Sequence, residues 1–234
     1  MRVDRTAIAE RTREILAEVP PGVTVVAAAK TRTPDEIRVA LTAGIRAVGE
    51  NYVQEAEAAQ AALGRSVAQW HLIGHLQRNK AKAAVRLFDL IQTIDSERLG
   101  DAVDGASRAI GRITPVLVEV NSAREAQKSG AVPEDIADLV RALDRLEAIR
   151  VVGLMTLGPA VSDPEALRSA FRETRRLFEA LREAPCLRAK MEVLSMGMSD
   201  SYRVAIEEGS TMVRIGTTLF GPRQVRSAGQ EVET

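Results

Sequence analysis

The chain has 234 residues, 32 basic and 32 acidic side chains, one cysteine and 3% aromatics. That length suits one α/β barrel, the balanced charge argues against whole-chain attraction to nucleic acid or an anionic membrane, and the scarce aromatics leave little for base stacking. Cys186 has no partner for an internal disulfide and reads as a buried thiol in a reducing compartment.

Residues 1–19 are charged and lack the apolar centre of a secretory signal, and no later run reaches the length of a membrane span, so a soluble, cytoplasmic protein is expected. Ile8, Ile15, Leu16 and Val19 fall on a loosely helical spacing and predict an extra helix over Asp4–Glu18, ahead of the first strand. Val23–Lys30 (VTVVAAAK) is an apolar run between Pro20-Pro21-Gly22 and Thr31-Arg32-Thr33-Pro34, the pattern of a buried strand that ends in a lysine. Thr33 then caps a helix with Pro34 at its first position and Gly44 past its end.

The same alternation recurs. Strands are predicted at 45–49, 67–74, 88–94, 114–120, 149–155, 191–195 and 211–215, with helices at 52–63, 79–87, 96–110, 133–146, 163–182 and 200–208. The clearest helix places Leu167, Ala170, Phe171, Thr174, Leu177, Phe178 and Leu181 on one stripe. Eight strands alternating with helices predict a closed (β/α)8 barrel of the TIM type, with an open doubly wound sheet as the second architecture. One domain over residues 1–222 is expected, followed by a polar, disordered tail at 223–234.

Lys30, at the end of the first strand, projects toward the face where such folds build their sites and is a candidate for bonding a carbonyl carbon. Ser195-Met196-Gly197-Met198-Ser199 and Arg214-Ile215-Gly216-Thr217 leave the seventh and eighth strands, whose loops commonly make a phosphate site in barrels; Ser199 is expected to cap the helix that follows it. Closure of the barrel would make these neighbours of Lys30. An aldehyde bearing a phosphate, pyridoxal 5′-phosphate, fits both features, with Arg214 in reach of the pyridine nitrogen.

The segments VVAAAKT (25–31), VGENYVQE (48–55), WHLIGHLQRNK (70–80), GLM (153–155), LSMGMSDS (194–201) and STMVRIGTTLFG (210–221) resemble the pyridoxal-phosphate homeostasis proteins, single-domain relatives of the alanine racemase N-terminal barrel. The resemblance runs along nearly the whole chain. It implies a Schiff base at Lys30, phosphate contacts around Ser199, Gly216 and Thr217, Arg214 facing the ring nitrogen and Asn51 beside the cofactor. It also implies a non-catalytic binder acting in vitamin B6 homeostasis, with effects on amino-acid and keto-acid balance and transient transfer to apoenzymes. Ala29 and His75 depart from the commonest form of these motifs without removing a ligand.

The alternative is a pyridoxal-phosphate-dependent amino-acid racemase or lyase, with His71, Lys128, Tyr52 or Tyr202 as the base. No second domain of the racemase kind follows Gly221, which favours a binder and predicts a monomer. Arg78, Lys80, Lys82 and Arg86 read as a solvated helix face in preference to a nucleic-acid patch. His71 and His75 lie in a strand and a loop and do not share a face as metal ligands would.

Overall fold

Eight parallel strands follow one another around a ring and close it, because β1 (Thr24–Ala28) pairs with both β2 (Ala47–Glu50) and β8 (Met212–Ile215). Between them lie β3 (Gln69–Leu72), β4 (Leu90–Ile94), β5 (Thr114–Val120), β6 (Ile149–Thr156) and β7 (Val193–Ser195). The computed structural model describes residues 4–125, 127–159, 163–184 and 187–222; Cys186 and the segment 223–234 lie outside the described residues. The β1–β8 ladder, in register from Thr24 with Met212 to Ala27 with Ile215, rules out the open sheet.

The extra helix is α1 (Arg5–Glu18), started by Asp4, whose carboxylate accepts from the Ala7 amide at 3.0 Å. The helices of the ring are α2 (Pro34–Thr42), α3 (Val53–Leu63), α4 (Ala81–Leu87), α5 (Glu97–Arg108), α6 (Ile136–Leu143), α7 (Pro164–Glu183), α8 (Tyr202–Glu207) and a last short turn, α9 (Thr217–Phe220). Thr33 and Glu36 form a reciprocal capping box at the start of α2, with Pro34 in its first turn. In α7 the predicted stripe is buried except for Leu177, which is partly so.

The strands are shorter than the apolar runs that encode them. Arg65–Val67 forms a 3₁₀ turn before β3, and the pairing of β3 fades beyond the bond from the Ile73 amide to the Glu50 carbonyl at 2.9 Å. Gly74 follows, and a Cβ there would lie 2.4 Å from the Asn51 carbonyl oxygen, so only glycine lets this segment pass so close to Asn51. Gly153 does the same inside the sheet, where a Cβ would sit 1.7 Å from the Val193 carbonyl oxygen.

Two apolar layers result. Val26, Ala47, Leu90, Leu117, Met155 and Met212 fill the barrel interior, while the larger cluster lies between strands and helices and includes Trp70, Phe88 and Phe171. Further along the inward-facing rows stand five buried polar residues, His71, Gln92, Glu119, Ser195 and Arg214. That polar layer is the floor of the site.

Candidate functional site

An open pocket of about 320 Å³ at the C-terminal ends of the strands is lined by Lys30, Asn51, Ser199, Arg214, Gly216 and Thr217, together with Arg32 and Asp200. All six residues singled out in the sequence therefore share one pocket. Lys30 lies two residues beyond the end of β1, yet it keeps the inward parity of Val26 and Ala28; the last bond of the ladder, from the Ala29 amide to the Gly49 carbonyl, is 2.8 Å. Lys30 is half-buried as a residue, and its ammonium stands 5.7 Å from the centre of the Tyr52 ring. Thr31, with φ 65, then turns the chain sharply toward α2.

Ser199 differs from its expected role. The amides of Ser201 and Tyr202 both bond to the Met198 carbonyl, at 2.9 and 2.8 Å, so the chain makes a further turn and Ser201 occupies the cap position of α8. The Ser199 hydroxyl instead accepts from the amides of Gly216 and Thr218, each at 3.2 Å, tying the loop after β7 to the start of α9. Gly216 has its own reason: a Cβ would come within 3.3 Å of the Ala28 carbonyl oxygen. Hydroxyl groups and the backbone of the first turn of α9 thus gather along the pocket wall made by the loops after β7 and β8.

Arg214 is buried on β8 and has no carboxylate in contact among the described residues. One terminal nitrogen donates to Ser195 Oγ at 2.5 Å and the other to the Thr156 carbonyl at 2.7 Å, while Nε makes no bond among the described residues. Burial lowers its pKa to about 10, opposed by the nearby charge of Glu119. The Ser195 hydroxyl donates onward to Gln92 Oε1 at 2.7 Å, and Gln92 Nε2 lies 3.0 Å from His71 Nδ1. His71 is therefore a paired interior histidine, and burial lowers its pKa to about 4 against the pull of Asp89.

Two buried acids stand out, Glu119 of this floor and Glu50, whose parity in β2 is opposite to that of inward-facing Ala47. Burial raises Glu119 to about 7, helped by Asp95 and opposed by Arg214, and its Oε2 has no partner among the described residues. Glu50, beside Asn51, is raised to about 8 by burial and by Glu55, and its Oε2 is likewise unpartnered. Lys128 lies outside the pocket, paired to Glu125 at 2.7 Å and bonded to the Gly158 carbonyl at 3.1 Å. The Tyr202 hydroxyl donates to Glu18 at 2.9 Å, away from the pocket lining. Among the described residues no group of three or more His, Cys, Asp or Glu side chains could hold a metal, and no helix is long and apolar enough to cross a membrane.

The sequence assigns no task to Gln92, Thr156, Glu119 or Arg32, and places Ser195 only at the start of the loop after the seventh strand. The signal for three of them was available, since Gln92, Glu119 and Ser195 are polar residues at inward positions of otherwise apolar strands. Thr156 acts through a backbone carbonyl, which no side-chain pattern encodes.

The match to known proteins follows the fold and the motifs. The family model of the alanine racemase N-terminal domain matches residues 3–224. The pyridoxal phosphate homeostasis protein of Aquifex aeolicus is 39% identical over 197 residues, covering 84% of this chain and 86% of that one. Its counterpart in Pseudomonas aeruginosa is 36% identical over 219 residues, covering 92% and 93%. Among solved structures, PipY of Synechococcus elongatus in its form with PLP bound is 36% identical, covers 92% of this chain and 100% of that one, and has a TM-score of 0.83. Alanine racemase of Clostridium difficile shares the fold at a TM-score of 0.81 and 13% identity, covering 94% of this chain and 58% of that one. This chain belongs to the pyridoxal phosphate homeostasis proteins, within the family of the alanine racemase N-terminal domain.

Proposed function

We propose that this chain binds pyridoxal 5′-phosphate in the Lys30 pocket and serves vitamin B6 homeostasis as a holder of the cofactor. The observation that carries the reading is the convergence in one pocket of an amine, a buried guanidinium and a cluster of hydroxyl and amide donors. The donor set suits the group. Arg214 keeps three of its five N–H groups in hand after Ser195 and Thr156 are served, and an unprotonated ring nitrogen is an acceptor that would use one of them. When bound, the cofactor supplies an aldehyde that condenses with a primary amine and releases water.

Each residue has a separate task. Lys30 offers the amine, and the neighbouring Tyr52 ring shields one side of it. Ser199, Gly216 and Thr217 hold the phosphate, while Asn51 closes the wall beside the ring. Arg214 orients the ring and, staying charged, keeps its nitrogen unprotonated, which makes the ring a weak electron sink. That favours holding over turnover, as does the engagement of Tyr202 with Glu18 and of His71 with Gln92. A cytoplasmic monomer that yields the cofactor to recipient enzymes, with residues 1–222 as the binding domain, completes the reading.

The test is the absorption spectrum of the purified chain with pyridoxal phosphate, before and after borohydride, beside Lys30→Ala. A yellow band, fixed by borohydride to the Lys30 peptide and missing in the variant, is expected. A band unchanged in Lys30→Ala would sink the assignment. Exchange of the α-hydrogen of amino acids in heavy water separates the two roles, and sustained Lys30-dependent exchange would favour a racemase or lyase.

A further inference from the structure

The Lys30 pocket has a neighbour of similar size. An open pocket of about 350 Å³ shares Asn51 as a wall and is bounded by Tyr52, Leu72, Leu76, Gln77 and Lys80. Leu72, Leu76 and Val53 are buried apolar side chains, whereas Lys80 is half-buried and Tyr52 is 53% exposed.

Among the described lining residues, Lys80 alone is a Lys, Arg, Asp or Glu. Lys80 belongs to a run with Arg78, Lys82 and Arg86, and none of the four makes an ion pair or side-chain hydrogen bond among the described residues. Several cations elsewhere are tied down: Arg65 holds Asp89, Arg108 holds Asp104, Arg124 holds two glutamates and Arg168 holds three. In a chain of zero net charge, a cluster of unpaired cations beside a cavity is a local positive field. The opening turn of α3 adds to it, since Tyr52 supplies no side-chain cap and Val53 and Gln54, its first helical residues, line the same pocket. Glu55, also in that turn, is not among the lining residues and acts on Glu50.

We propose that this pocket is a second ligand site, distinct from that of the cofactor, which takes a small organic anion. Its carboxylate or phosphate head rests on Lys80 and the first amides of α3, and its apolar body lies on Leu72, Leu76 and the Tyr52 ring. Tyr52 is also the ring over which the Lys30 ammonium stands, at 5.7 Å, so the occupant borders the amine of the first pocket. The unpaired cations that the sequence presents as a solvated face become the approach to this site.

The experiment is a site-resolved NMR titration of the full ¹⁵N-labelled chain with inorganic phosphate and, separately, with acetate. Saturable shifts of the Val53, Gln54 and Lys80 amides are expected with at least one anion, and the tighter of the two identifies the head group as phosphate ester or carboxylic acid. Lys80→Gln should weaken the binding about tenfold, Lys80→Arg should retain it and Arg176→Gln, at an exposed position of α7, should leave it unchanged. Loss of these shifts with both anions, or equal weakening by Arg176→Gln, would overturn the proposal. Shifts confined to Gly216 and Thr217 would support the cofactor pocket and still overturn this one.

Discussion

Ser195 stands between Arg214 and Gln92, accepting from the guanidinium at 2.5 Å and donating to the amide oxygen at 2.7 Å. Every donor in this row points the same way, from Arg214 through Ser195 and Gln92 to His71, so the buried cation orients the whole row. Ser195→Ala should leave one N–H of Arg214 and the oxygen of Gln92 unsatisfied in the barrel interior. A loss of about 1–3 kcal/mol is expected, read as a fall of several degrees in the melting temperature. Unchanged stability would mean that water or a rotated Gln92 takes over the hydroxyl's role.

His71 should remain neutral with its proton on Nε2, because Gln92 Nε2 donates to Nδ1. Its folded pKa, about 4, is below the ordinary 6.5, so the unfolded chain binds the extra proton first. The contribution of His71 is then full above pH 6.5 and is lost as the pH falls toward 4. Imidazole ¹⁵N shifts across that range check both statements; a ring that titrates near 6.5 would contradict them.

Glu50 behaves in the opposite sense. Its folded pKa of about 8 exceeds the ordinary 4.5, so folding favours the protonated acid, and this contribution is lost as the pH rises from 4.5 through 8. Glu50→Gln should match the parent chain near pH 4.5 and exceed it by roughly 3–5 kcal/mol near pH 8. Urea unfolding at the two pH values gives the difference directly.

Gly74→Ala tests the wall shared by the two pockets. The new Cβ would meet the Asn51 backbone at 2.4 Å, with no flexible side chain to yield, so Asn51 must move. Weaker pyridoxal phosphate binding is expected together with a stability loss of about 2 kcal/mol or more. Binding equal to the parent chain would show that Asn51 is not needed where it stands.

Most of the architecture was legible because barrel grammar is local. Apolar runs, Thr33 before Pro34, and Asp163 before Pro164 each mark an element from nearby residues alone. The six pocket residues were legible for the same reason, as they sit at strand ends or just beyond them. Ser199 was misread as a helix cap because the turn that delays α8 is made by backbone bonds to the Met198 carbonyl, which leave no trace in side-chain type. The Arg214 row escaped notice because it joins four strands, and the register between them is a property of the closed ring.

The β1–β8 ladder has a consequence in time as well as in space. Lys30 follows the first strand and Arg214 belongs to the last, so the pocket exists only after the final ladder has zipped onto the first. A chain emerging from the ribosome would carry Lys30 as an ordinary solvated amine throughout its synthesis, and contacts of such long sequence separation form late and slowly. Capture of an aldehyde in this pocket therefore reports that the whole barrel has been made and closed.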